Sequence, residues 1–92
     1  MVSFYRSADG KHKYVAIFDN PYKVVHFGQL GASDYTIHHD EDRRDAYLKR
    51  HIKRENWDDP MSPGSLSRWI LWGPTTSLHE NIRLYKIRFN MH

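Results

Sequence analysis

The chain has 92 residues, 14 Lys and Arg against 11 Asp and Glu, and no cysteine. That length supports a single domain, residues 1–92, with one small core. The missing thiols exclude disulfides, thiolate zinc sites, iron–sulfur clusters and a cysteine nucleophile.

Aromatic residues make up 14% of the chain. Disordered chains are poor in them, so this one is expected to fold, with large aromatic side chains filling a short core. No window approaches the roughly 20 apolar residues of a membrane span. Residues 1–13 lack the apolar run of a signal peptide. A reducing compartment and a non-secreted protein are therefore expected.

Val2–Ser7 alternates apolar and polar positions and reads as a first strand. Ala8-Asp9-Gly10 reads as a turn. Lys13–Phe18 follows, with Tyr14, Ala16 and Phe18 on one face and Val15 and Ile17 on the other. After the breaker Asp19-Asn20-Pro21, Lys23–Gly28 forms the next strand. Short connections favour an antiparallel meander of two or three strands. Gly28–Thr36 reads as a loop. It lacks the Lys-Ser/Thr ending of a phosphate-cradling loop.

Asp40–Glu55 carries the clearest helical pattern. Acids crowd its first turn and bases its last, the order that suits the helix dipole. Tyr47, Leu48, His51 and Ile52 form its apolar stripe, with Arg43, Arg50 and Arg54 assigned to a different side. Asp40 suits the N-cap and can pair with Arg44. After the breaker-rich Asn56–Gly64, Ser65–Trp72 reads as a short helix capped by Ser62 or Ser65 and ended by Gly73-Pro74. Ser77 and Glu80 match a capping box that opens a last helix with Leu78, Ile82, Tyr85 and Phe89 on one face. The expected fold class is α+β, a small antiparallel meander followed by three helices packed on it.

Charge is unevenly spread. Arg43–Arg54 holds a local +5 out of a net +3, which leaves −2 for the rest. Several cations on a helix flank can track a phosphate backbone, and Arg forks onto phosphates. The candidate nucleic-acid contacts are Arg43, Lys49, Arg50, Lys53, Arg54 and Arg68. The competing assignment is an ordinary solvated helix face. Trp57, Trp69 and Trp72 are expected in the core, with Trp72 flanking the Trp69 face.

Metal and catalytic templates are incomplete. His38, Asp40 and His51 could serve a metal-dependent nuclease, but no recognised ligand spacing occurs. Adjacent His38 and His39 point apart in most backbones. His26 and His51 are expected to be packed and hydrogen-bonded. Asp34, Asp40, Glu55, Asp58 and Asp59 could supply carboxylates for magnesium. Caps and turns account for them more simply. No catalytic residue, metal or cofactor is assigned.

Several segments together carry a resemblance: Lys23–Gly28, Gly31–His38, Asp40–Arg43, Tyr47, Arg50-His51, Glu55-Asn56-Trp57 and Ser65–Trp72. Through them the chain resembles a family of small uncharacterised proteins of large DNA viruses of algae and amoebae, and of some phages. The resemblance implies a viral origin and supplies no activity. It implies residence in the host cytoplasm or nucleus, or in the virion. The expected function is association with nucleic acid without catalysis. A structural role in the virion, with other virion proteins as partners, is the alternative. A metal-dependent nuclease is a second alternative.

Overall fold

The computed structural model describes residues 1–91. Strands β1 (Val2–Arg6), β2 (His12–Phe18) and β3 (Lys23–Gln29) form an antiparallel sheet in sequential order. One-turn helix α1 (Tyr35–His38) and helix α2 (Glu41–His51) follow. Helix α3 (Pro63–Leu66) runs directly into a π-helical turn at Ser67–Leu71, and α4 (Leu78–Arg88) closes the chain. This is the α+β meander-then-helices architecture that the sequence predicts.

Pleating puts alternate residues on opposite faces of the sheet. Register places Ala16 between Phe4 and Val25, and Phe18 against Val2. These residues and Phe27 face Leu66, Ile70, Leu71 and Tyr85 in a single apolar cluster. The core therefore lies between the sheet and the helices after residue 62. The other sheet face, with Tyr5 and Val24, stays open to solvent.

Caps fall at the residues that the sequence marks. Asp40 accepts the N–H groups of Asp42 and Arg43, Ser62 that of Ser65, and Ser77 that of Glu80. The capping box is half made, because the Glu80 carboxylate turns to Arg83 instead of returning to the cap.

Three boundaries differ from expectation. Gly28–Thr36 is not wholly loop, since β3 runs to Gln29. A helical turn starts after Asp34, whose carboxylate accepts Thr36 N–H at 2.9 Å. Helix α2 stops at His51, and Arg54 and Glu55 both donate their N–H groups to the His51 carbonyl in a closing turn. The third helix begins at Pro63, where proline's missing N–H costs nothing. It changes pitch at Ser67, with Trp72 N–H reaching back to the Ser67 carbonyl at 2.9 Å. Wide π turns of this kind shift every later side chain around the axis.

Candidate nucleic-acid interface

Helix α2 contributes no side chain to the apolar cluster. Aromatic and polar contacts hold it instead. Trp72, delivered by the π turn, stacks on Tyr47 at 4.1 Å between ring centroids, and His51 stacks on Tyr47 at 4.0 Å. Burial pushes the Tyr47 hydroxyl pKa well above its ordinary range, and Glu55 adds to the rise. Arg44 donates from Nε to the carbonyls of Gly73 at 2.8 Å and Trp72 at 3.3 Å. Its guanidinium lies 5.5 Å from the Tyr35 ring centroid. The Asp40–Arg44 pair expected from sequence does not form, because Arg44 is drawn to these carbonyls.

Tyr47 and Trp72 form part of the wall of an open cleft of about 500 Å³. Its other walls include Lys11, His12 and Lys13 near the start of β2, and Arg50 of α2. Lys13 and His51 of this lining each face a carboxylate. Lys13 Nζ lies 2.5 Å from the buried Asp34 carboxylate. His51 Nδ1 lies 3.1 Å from Glu55 Oε2, while Glu55 Oε1 accepts Trp57 Nε1–H at 2.9 Å. Lys11 and Arg50 pair with no carboxylate among the described residues.

Arg43, Lys49, Arg50, Lys53 and Arg54 are all exposed. None forms an ion pair among the described residues. Arg50 stands about 60° around α2 from Tyr47, so it borders the packed side rather than opposing it. Lys53 and Arg54 lie past the end of the helix. Arg68 belongs elsewhere. Its guanidinium lies 4.1 Å from the Trp69 ring and 5.1 Å from the Trp57 ring, and Nη1 donates to the Trp72 carbonyl at 3.0 Å. Burial, with Arg44 and Arg88 nearby, pulls its pKa down to about 10. Arg68 is an internal fastener and does not share the exposed cationic surface.

The three tryptophans divide. Trp69 and Trp72 pack against the apolar cluster as expected. Trp57 lies beside it, with its carbonyl accepting Trp69 Nε1–H at 3.0 Å and Ser65 Oγ–H at 3.1 Å.

His38, Asp40 and His51 serve the backbone and neighbouring side chains. Asp40 caps α2, and His38 Nδ1 accepts the Asp40 N–H at 2.9 Å. His39 takes the left-handed conformation that ends α1. Of the other acids considered for magnesium, Asp34 is engaged with Lys13, Glu55 with His51 and Trp57, and Asp59 with the Met61 N–H. Sequence reasoning missed a different grouping. Among the described residues, Asp9, His12 and His26 bring three metal-ligating atoms together. Backbone N–H donation from Lys11 holds the Asp9 carboxyl well below the usual carboxylate range, with His12 and Ser7 adding to the effect.

One family model matches residues 2–51, just over half of the chain. The chain belongs to DUF5754, a family of unknown function. The DUF5754 region spans the whole sheet, α1 and α2, and ends at the last residue of α2. It contains Asp9, His12 and His26 as well as Arg43, Lys49 and Arg50. Lys53, Arg54, Trp72 and the helices that complete the core lie beyond it. No curated protein and no solved structure matches the chain.

Proposed function

We propose that this DUF5754 member is a small virus-encoded protein that associates with nucleic acid through the phosphate backbone. Arg43, Lys49, Arg50, Lys53 and Arg54 make the contacts, with Lys11 extending the cationic surface across the cleft. The observation that carries the proposal is the sorting of cations. Arg43, Lys49 and Arg50 of α2, with Lys53 and Arg54 of its closing turn, are exposed and unpaired among the described residues, while Arg44 of the same helix, Arg68 and Lys13 are engaged internally. Little base reading is expected, because the Tyr47 ring is covered by Trp72 and His51. The resemblance to proteins of large DNA viruses supports a viral origin and a place in the host cytoplasm or nucleus. No catalytic step is required.

Fluorescence anisotropy with labelled single- and double-stranded DNA and RNA tests this across a salt series. Neutralising five duplex phosphates gives a log–log slope of about −4.5. Absence of binding to all four nucleic acids at low salt rejects the proposal.

A second reading, a structural component of the virion, draws on the open sheet face. Tyr5, Tyr22 and Val24 are 57%, 74% and 41% exposed there and on the adjoining turn. Exposed aromatics suit a protein interface. Stoichiometric recovery from purified particles by mass spectrometry supports this reading, and absence opposes it.

A further inference from the structure

Asp9 lies in the β1–β2 turn, His12 begins β2 and His26 sits in the middle of β3. The fold brings one ligand atom of each within 4.8 Å of the others. Asp9 Oδ1 accepts the N–H groups of Lys11 and His12, each at 2.8 Å. Those bonds fix the carboxylate and leave Oδ2 toward the imidazoles, 2.6 Å from His12 Nδ1 and 3.5 Å from His26 Nδ1. The two rings lie 5.8 Å apart between centroids. Ser7 Oγ stands 2.8 Å from His26 Nδ1.

We propose that Asp9 Oδ2, His12 Nδ1 and His26 Nδ1 form a three-donor site for a divalent first-row transition metal of the zinc class. Two imidazoles and a carboxylate suit zinc and its neighbours, whereas magnesium and calcium favour oxygen donors throughout. Tetrahedral bonds of about 2.0–2.1 Å place donor atoms about 3.3 Å apart. The Asp9–His26 separation is already close to that value. The Asp9–His12 separation reaches it by a side-chain adjustment of about 0.7 Å. Metal binding needs neutral imidazoles that carry their proton on Nε2, so a neutral ring protonated at Nδ1 changes tautomer without net release, and only a doubly protonated ring gives up a proton. The side chains of Asp9, His12 and His26 are 27%, 39% and 36% exposed, which leaves a route in and a fourth position for water. A bound ion would tie the β1–β2 turn to β3 and add to stability by mass action. This site is independent of the nucleic-acid proposal.

The test uses the full chain, free of any histidine tag and stripped by chelator. Titration with Co²⁺ should give the intense visible bands of a four-coordinate site, saturating at one equivalent and displaced by Zn²⁺. In the double variant His12→Ala/His26→Ala those bands should vanish and Zn²⁺ affinity should fall by about 100-fold or more, since even outer-shell changes cost 10–100-fold. Asp9→Asn retains the backbone acceptor and should weaken binding through loss of charge. His39→Ala and His79→Ala should bind as the parent does. In the unaltered chain, the Nδ1 resonances of His12 and His26 should shift on Zn²⁺ addition. Equal affinity in the double variant, no stoichiometric uptake, or unmoved His12 and His26 resonances would overturn the site.

Discussion

The indole of Trp72 lies parallel to the Tyr47 ring, with planes 3° apart and centroids separated by 4.1 Å. This contact joins the helix that carries the cations to the helical turn that completes the core. An aromatic pair contributes about 0.5–1.5 kcal/mol beyond area burial. Tyr47→Ala should therefore loosen α2 selectively. Native-state hydrogen exchange should show α2 amides opening about tenfold more readily, while central β2 amides keep their protection relative to global unfolding. Unchanged α2 protection would contradict this.

Arginines that look alike in sequence should separate in experiment. Arg44→Ala and Arg68→Ala each remove charge-assisted bonds to backbone carbonyls and should cost about 1.5–3 kcal/mol in urea denaturation. Arg50→Ala should leave stability within about 0.5 kcal/mol. If the proposed phosphate contact is right, Arg50→Ala should weaken nucleic-acid binding and reduce the salt slope by about one unit. Matching stability losses in all three variants would remove the distinction.

Asn81 is fully buried on the inner face of α4. Its Nδ2 donates to the carbonyls of Ile70 at 2.9 Å and Thr75 at 2.8 Å. Its Oδ1 accepts Thr75 N–H at 3.1 Å and Thr75 Oγ1–H at 2.7 Å. One carboxamide thus satisfies the loop between the π turn and α4. Asn81→Ala strands several buried groups and should cost about 3 kcal/mol or more. Asn81→Asp should be similarly damaging, since a carboxylate cannot donate to the two carbonyls. A loss below about 1 kcal/mol would show that the loop has other partners.

His38 should make the fold acid-sensitive. Burial, and secondarily Arg43, lower its pKa from the ordinary 6.5. Its Nδ1 accepts the Asp40 N–H, and Nε2 is buried without a partner among the described residues. The unfolded chain takes up this proton at higher pH than the folded one. The contribution is complete above about 6.5 and is lost as pH falls through the lower folded value. His38→Gln should show a flatter fall in melting temperature than the parent below that pH. Parallel pH profiles would refute the assignment.

The strands, the cap residues of the longer helices and the cation-rich segment Arg43–Arg54 are all legible in the sequence. Alternation, an Asp or Ser facing the next turn, and local charge density are short-range properties. The end of α2 is not legible, because the helical pattern continues through residues that close a turn on the His51 carbonyl. Trp72 packs at the core as its spacing predicts, but its stack on Tyr47 is not legible, because the chain widens into a π turn just before it. Gly73 read as a helix terminator, and it also passes so near the Trp69 carbonyl and Asn81 that a Cβ would collide. Gly28 shows the same limit: its positive φ of 77° is a turn signal, but a Cβ there would also lie 2.7 Å from Leu71 Cδ1.

Sequence by itself determined the α+β order, the aromatic core and the concentration of positive charge in the segment Arg43–Arg54, because each depends on residues near one another along the chain. Tertiary structure decided which cations stay free: Arg44 turns inward to the distant carbonyls of Trp72 and Gly73, Arg68 folds onto the Trp72 carbonyl and the rings of Trp57 and Trp69, and Arg50 remains at the cleft. It also brought Asp9 and His12 to His26, a meeting set by strand pairing across the meander and invisible to any local spacing.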